Sequence, residues 1–115
     1  MKPKSISALI FEVANLDTTL AFYEKLGFRV DKNDGQVALV YLNWFSMEFH
    51  LVSDTTTDTK DGPIVLISVA VDDYYQGILD AGISVDGPPR KTINGRREFR
   101  AVDPNGYTLL FFEKK

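Results

Sequence analysis

The fold is decided by residues 6–28, which read ISALIFEVANLDTTLAFYEKLGF. Residues 6–13 are rich in β-branched and large apolar side chains and form too short a run for a buried helix, which predicts a strand. Asn15 and Asp17 then offer helix-capping oxygens, and the apolar residues over 16–26 recur at helical spacing. Gly27 tolerates the left-handed backbone that commonly ends a helix, so this stretch predicts a strand followed by a helix.

Three further strands follow in the first half of the chain. They are predicted over 28–31, 37–42 and 45–52, with turns at Asp34-Gly35 and at Asn43. Together with the first strand and the helix, they make one β-α-β-β-β unit.

The second half of the chain repeats this order. A stretch rich in Thr and Asp at 54–63 predicts a linker. After it, a strand, a helix and three strands recur over 64–71, 72–81, 83–85, 96–102 and 107–112. Asp103-Pro104-Asn105-Gly106 between the last two strands is a strong turn signal. We therefore predict an α+β fold with two βαβββ modules, 1–53 and 64–115, in a single domain over 1–115.

Composition excludes several classes of function. The chain has 115 residues, 44% of them apolar, which is ordinary for a globular protein. Its 13 Lys and Arg against 16 Asp and Glu give a net charge of −3, so we expect neither nucleic acid nor a membrane as a partner. With no cysteine and one histidine, His50, the sequence excludes disulfides, thiolate metal sites and sites built from several imidazoles of one chain. We see no secretory signal or membrane span and expect a cytoplasmic protein.

Glu48 and His50 are the candidate catalytic residues. Alternation along the strand at 45–52 sets Met47 and Phe49 on one face and Glu48 and His50 on the other. A carboxylate and an imidazole two residues apart are expected roughly 6–7 Å from each other, where they could share a water, a proton or a ligand. An exposed polar face of an antiparallel strand gives the same pattern and is the commoner explanation.

The first strands of the two modules alternate in the same way. The uniformly bulky residues, predicted to lie under the helices, are Leu9, Phe11, Val13, Val65, Ile67, Val69 and Val71. The opposite faces mix small, polar and apolar residues, namely Ile6, Ala8, Ile10, Glu12, Leu66, Ser68 and Ala70. Such a mixture suits the wall of a cavity better than a packed core.

Three motifs lie within this repeated frame. Residues 21–28 read AFYEKLGF, residues 95–99 read GRREF, and residues 103–106 read DPNG. In two βαβββ modules, this combination resembles the glyoxalase / bleomycin-resistance / extradiol-dioxygenase superfamily, also called vicinal oxygen chelate proteins. The resemblance implies a cup-shaped, eight-stranded mixed sheet with helices on its outer face, in a homodimer.

The resemblance also assigns metal-ligand positions, one on each of four strands. In this sequence they are occupied by Ala8, Glu48, Leu66 and Leu110. Only Glu48 carries a donor atom, and even with His50 beside it two ligands are too few for stable binding of a divalent metal. We therefore expect no metal and no other cofactor.

The sequences Arg97-Glu98-Phe99 and Met47-Glu48-Phe49 resemble the metal-free bleomycin-resistance branch in particular. That likeness implies dimers that sequester a drug in an aromatic-lined groove between subunits, without chemical turnover. The candidate ligand-binding residues are Ala8, Trp44, Glu48, His50, Ser68, Leu110 and Phe112.

Two further aromatic residues, Tyr41 and Phe99, are weaker candidates for such a groove. A planar ligand between aromatic rings gains both buried area and π-contact. Packing in the core or an interface is the alternative for each aromatic residue, and for Phe99 it is the favoured one.

A basic cluster surrounds the Gly-Pro-Pro break in the second module. Its members are Arg90, Lys91, Arg96, Arg97 and Arg100. They could recognise an anionic group on a ligand. A solvated hairpin edge, protected from aggregation by charge, has the same pattern and is favoured.

Three functions follow from these observations. The first is a metal-independent, homodimeric small-molecule binding protein that sequesters an antibiotic or another aromatic ligand. The second is a lyase, isomerase or dioxygenase of the same superfamily, in which Glu48 is the general base and His50 is its proton partner or a second metal ligand. The third is an accessory module whose cup is filled by its own apolar side chains.

Overall fold

The computed structural model describes residues 1–42, 45–52, 63–92 and 95–114. The chain divides into two compact units, the first module (Met1–Thr56) and the second module (Thr57–Lys115). Apart from Pro63, the predicted linker at 54–63 lies outside the described residues. The assignment of both modules to a single domain over 1–115 stays a prediction.

The first module is a four-stranded mixed sheet with one helix. It contains β1 (Leu9–Val13), α1 (Leu16–Leu26), β2 (Arg29–Asn33), β3 (Val37–Leu42) and β4 (Phe45–Leu51). The strand order is β1-β4-β3-β2, in which β1 runs parallel to β4 and the other neighbours are antiparallel. This confirms the predicted β-α-β-β-β unit, although β1 starts three residues later than the apolar pattern at 6–13 indicates.

Helix α1 is defined by its own sequence. The side chain of Asn15 accepts a hydrogen bond from the N–H of Thr18 at 2.9 Å, and Gly27 ends the helix with a φ of 105°. Between these caps, the ring of the buried Tyr23 lies 4.9 Å from that of Phe49 on β4, centroid to centroid. The helix therefore covers the sheet face that carries Phe49, as the predicted amphipathic pattern requires.

The second module has the same plan. It contains β5 (Val65–Ser68), α2 (Val71–Asp80), β6 (Arg90–Lys91), β7 (Arg96–Val102) and β8 (Thr108–Lys114). The strand order is β5-β8-β7-β6, with β5 parallel to β8. The α+β class and the two βαβββ modules are thus confirmed. In the described parts of the chain, neither helix has the length and apolar character that a bilayer crossing requires.

The turn between β7 and β8 forms as the sequence predicts. The carboxylate of Asp103 accepts hydrogen bonds from the N–H groups of Asn105 and Tyr107, both at 2.9 Å. Gly106 has a φ of 93°, a conformation that favours glycine, and its N–H donates to the Asp103 carbonyl at 3.0 Å. These bonds fix the register of the hairpin.

Residues 83–85 do not form the predicted strand. Val85 makes only an isolated bridge to Ala101, and β6 takes the edge of the sheet instead. Asp86 accounts for the difference, because its N–H donates to the Arg100 carbonyl and its carboxylate accepts from the Arg100 N–H. It thereby occupies the backbone groups of Arg100, and the prolines of Gly87-Pro88-Pro89, which lack N–H donors, cannot extend the ladder.

Helix α2 begins at Val71, although the sequence predicts a strand up to this residue. Its N-cap residue, Ala70, offers no side-chain oxygen, and the carboxylate of Glu113 on β8 accepts the Val71 N–H at 2.9 Å instead. Arg97 on β7 forms a bidentate ion pair with Asp72 in the first turn, with a closest approach of 2.8 Å. The hairpin therefore fixes where α2 starts, and the local pattern misplaces it for that reason.

Replacing Glu113 by alanine should lower the free energy of unfolding by about 1 kcal/mol, the usual effect of removing an N-terminal capping acceptor. Glu113→Gln keeps an accepting oxygen near the Val71 N–H and should retain most of that stability. Urea unfolding followed by circular dichroism measures both variants. Equal losses in the two would contradict the capping role and point to the attraction between Glu113 and Arg97.

Candidate functional site

Strand β4 places Glu48 and His50 on the sheet face turned away from α1. Met47 and Phe49 are fully buried, whereas Glu48 and His50 are partly exposed, which confirms the predicted alternation. We call this surface the distal face of the first sheet. It carries Ile10, Glu12, Val37, Leu39, Glu48 and His50.

Glu48 and His50 are in direct contact. Oε1 of Glu48 lies 2.9 Å from Nε2 of His50, so the imidazole donates and the carboxylate accepts. The predicted separation of 6–7 Å is therefore wrong, since it followed the backbone spacing and both side chains lean towards each other. Among the described residues, neither the Glu48 nor the His50 side chain makes a second hydrogen bond. A neutral imidazole in this tautomer keeps Nδ1 as an acceptor, and the second carboxylate oxygen is available to a ligand.

Apolar side chains flank this pair. In the register of the sheet, Glu48 lies between Ile10 on β1 and Leu39 on β3. Ile10 is 59% exposed, which is a large value for an isoleucine in a strand. A carboxylate set between apolar side chains suits a ligand that has both an apolar body and a polar group.

A groove of about 500 Å³ opens beside Glu48. It is lined by Lys32, Asn33, Asp34, Val37, Leu39 and Glu48. Hydrogen bonds from the N–H groups of Val37 and Gln36 lower the pKa of Asp34, so this carboxyl is ionised at neutral pH. The groove therefore combines the ammonium group of Lys32 and the carboxylates of Asp34 and Glu48 with the apolar side chains of Val37 and Leu39.

Ala8 and Tyr41 are the other predicted residues of the first module that the structure describes. Ala8, directly before β1, is half-buried. Tyr41 is also half-buried and lies under the guanidinium of Arg29, whose carbon is 5.8 Å from the ring centroid. Trp44, which the sequence favours as an aromatic contact, lies outside the described residues.

The second sheet has a corresponding distal face. The rings of Phe99 and Phe111 contact tyrosines of α2, so the alternate residues of β7 and β8 point away from the helix. Phe112 on β8 is half-buried, and the guanidinium carbon of Arg96 lies 4.9 Å from its ring centroid. Ser68 on β5 is exposed and is the register partner of Phe112.

Phe99 belongs to the core of the second module. It is fully buried and stacks on Phe111, with 5.1 Å between ring centroids. This confirms core packing as its role, which the sequence favours over a place in a ligand groove.

Two of the five basic residues pair inside the second module. The guanidinium of Arg90 lies 2.8 Å from the Asp86 carboxylate, and that of Arg97 engages Asp72. Arg96 lies over the ring of Phe112. These contacts fit a hairpin edge with its own ion pairs better than a loop held ready for an anionic ligand.

Sequence reasoning misses Glu98 as a candidate site residue. It lies on the distal face of the second sheet, and its register partners are Phe112 on β8 and Arg90 on β6. Alternation along 96–102 could have placed it on one face with Arg96 and Arg100. Its position beside Phe112 needed the strand register, which the sequence pattern does not give.

The residues at the positions that the resemblance assigns to a metal do not fit one. In the first module these are Ala8 and Glu48, and in the second Leu66 and Leu110, which are direct neighbours in register. Alanine and leucine side chains have no donor atoms, and a carboxylate with one imidazole is too small a ligand set. Over the described ranges, no group of three or more His, Asp or Glu side chains could hold a metal ion.

Several solved structures have the same fold and align with nearly the whole chain. A virulence protein from Salmonella typhimurium is 21% identical, with a TM-score of 0.76 and 100% of each chain covered. A glyoxalase/bleomycin resistance protein/dioxygenase from Alicyclobacillus acidocaldarius is 19% identical, with a TM-score of 0.78 over 98% of this chain and 93% of that one. A bleomycin-binding protein complexed with bleomycin is 19% identical, with a TM-score of 0.77 over 97% of this chain and 100% of that one.

No curated protein sequence is significantly similar to the chain. Residues 5–111 match the sequence profile of the glyoxalase/bleomycin resistance protein/dioxygenase superfamily, which is nearly the full length. The profile match agrees with the two βαβββ modules. The chain therefore belongs to the glyoxalase/bleomycin resistance protein/dioxygenase superfamily.

Proposed function

We propose that this protein binds a small organic molecule without a metal and holds it without converting it. The observation that carries the proposal is the chemistry at the superfamily's metal positions, where Ala8, Leu66 and Leu110 offer no ligands beside Glu48. The proposal includes a homodimer, as the family resemblance implies, and a location in the cytoplasm.

The distal face of the first sheet supports this function. Glu48 borders a groove of about 500 Å³, a volume within the range of small-molecule sites. Its free carboxylate oxygen can accept a hydrogen bond from a ligand, while Ile10 and Leu39 offer apolar contact on either side. An aromatic or aliphatic ligand with a donor group fits this combination.

Antibiotic sequestration is the form of binding that we favour. A structure with the same fold is a bleomycin-binding protein complexed with bleomycin, and another is a bleomycin resistance determinant. The net charge of −3 adds slight support for a cationic guest. Within the second module, half-buried Phe112 is a candidate aromatic contact that the sequence predicts.

Purified protein should bind bleomycin, or another aromatic guest from a broad panel, and release it unchanged. A guest at a hundred times its Kd should stabilise the fold by about 2.7 kcal/mol, which thermal unfolding detects easily. Titration calorimetry gives the affinity, and mass spectrometry of the recovered guest shows whether it has been altered. Affinity should be the same before and after treatment with EDTA.

Three results would contradict the proposal. They are the absence of any stabilising guest in the panel, chemical conversion of a guest, and loss of binding in EDTA that added metal restores. The last would mean that the chain assembles a metal site from donors other than those at the superfamily's positions.

A second candidate function is acid–base catalysis, as in a lyase or isomerase of the superfamily. The 2.9 Å contact between Glu48 and His50 favours it, because a carboxylate oriented by an imidazole can take up a proton from a bound substrate. Substrate consumption that stops in Glu48→Gln would establish this function and exclude simple sequestration.

A further inference from the structure

Glu98 is a buried carboxylate for which the described residues provide no direct partner. Its exposed fraction is 7%. Within the part of the chain that the structure describes, it accepts no hydrogen bond and lies within 4 Å of no cationic group. Polar groups of buried residues normally have protein hydrogen-bond partners, so a carboxylate at this position with none among the described residues is unusual.

The neighbouring arginines are engaged elsewhere. Arg90, the register partner of Glu98 on β6, donates to Asp86 at 2.8 Å. That hydrogen bond is the largest cause of the raised pKa of Arg90. The negative charge of Glu98 contributes a smaller attraction over a longer distance. Arg97 pairs with Asp72, and Arg96 lies over the Phe112 ring.

The carboxylate of Glu98 is nevertheless reachable. No side-chain oxygen of the described residues is both fully enclosed and without a hydrogen-bond partner, so the oxygens of Glu98 must touch the surface. A donor from outside the chain can therefore approach them from the surface.

Phe112 lies directly across the strands from Glu98. Side chains at directly opposed positions have Cβ atoms about 4.5–5.5 Å apart, so one ligand can touch the ring and the carboxylate together. The guanidinium of Arg96 lies over one face of this ring, 4.9 Å from its centroid, so a flat cation that stacks on that face would take the place of Arg96.

We propose that Glu98 recognises a cationic N–H group, such as an amine, amidine or guanidine, on a ligand whose flat part lies against Phe112. This inference rests on the proposed binding function and adds the chemical class of the ligand and the residue that selects it. Glu98 then acts as a specificity determinant on the second module.

The test uses 2-naphthamidine and its neutral counterpart 2-naphthamide with the full chain. Titration calorimetry should show that the wild-type protein binds the amidine about tenfold or more tightly than the amide, as expected for a charge-assisted hydrogen bond. Glu98→Gln should remove this preference. Glu24→Gln removes the same charge from the exposed surface of α1 and should preserve it.

Thermal unfolding provides an independent measurement on the same variants. Because Glu98 has no direct partner among the described residues, Glu98→Gln should melt at the same temperature as the wild-type protein or higher. A fall of more than about 5 °C would show that Glu98 stabilises the fold through a partner, which would overturn the proposal.

Three other outcomes distinguish a failure of this inference from a failure of the proposed function. If the wild-type protein binds an aromatic guest of the broad panel but does not prefer the amidine, the role of Glu98 is wrong and sequestration stands. An amidine preference that survives in Glu98→Gln would also overturn the role of Glu98. If no guest binds at all, the proposed function itself fails.

Discussion

Replacing Phe49 by alanine is expected to lower the free energy of unfolding by about 3–5 kcal/mol, the usual range for truncating a buried phenylalanine. Phe49 is fully buried at the centre of the first module. Its ring centroid lies 4.9 Å from that of Tyr23 on α1 and 6.1 Å from that of Phe11 on β1. The substitution therefore removes contacts with both the helix and the neighbouring strand.

Phe45→Ala is the matched control, because Phe45 is also on β4 but is 44% exposed. It should lower the free energy of unfolding by much less, since little apolar surface is lost from the core. Urea titrations followed by circular dichroism compare the two. Similar losses in both variants would mean that the burial pattern along β4 does not describe the core.

Phe49 also lies between Glu48 and His50 in sequence, so the same alternation that buries its ring turns both polar side chains to the distal face. This part of the site could be predicted because a strand has a side-chain period of two, whatever its neighbours are. The 2.9 Å contact between Glu48 and His50 could not, since it depends on the rotamers of both side chains.

The two helices show the same division between local and distant information. Helix α1 carries Asn15 and Gly27 at its ends, so its bounds follow from the sequence. Helix α2 takes its first hydrogen-bond acceptor from Glu113, which is 42 residues away along the chain. A prediction from neighbouring residues does not include Glu113. The predicted strand before α2 is therefore too long.

Register sets a second limit on what the sequence can give. The tight turn at Asp103-Pro104-Asn105-Gly106 is predictable from composition alone. That it brings Glu98 opposite Phe112 depends on how β7 and β8 align after the turn. A site residue whose role comes from a cross-strand neighbour is therefore found only once the ladder is known.

Replacing Glu48 by glutamine should weaken guest binding by about tenfold to a hundredfold, because a hydrogen bond to a charged group contributes about 1.5–3 kcal/mol. The glutamine side chain has nearly the same shape, and its carbonyl oxygen can still accept from Nε2 of His50, so the face should keep its structure. The charge next to the groove is lost, together with the stronger acceptor for a ligand donor. Titration calorimetry with the best guest of the panel measures the change.

Glu24→Gln, on the exposed surface of α1, controls for the loss of one unit of net charge and should bind the guest as the wild-type protein does. Unaltered affinity in Glu48→Gln would place the guest away from the distal face of the first sheet. Turnover of the guest by the wild-type protein that ceases in Glu48→Gln would instead identify a catalytic base, since an amide cannot take up the proton that a carboxylate accepts. The single substitution thus distinguishes a binding carboxylate from a catalytic one. If Glu48 only binds the guest, the weakened complex still forms at high guest concentration. If Glu48 is the catalytic base, adding more substrate does not restore turnover.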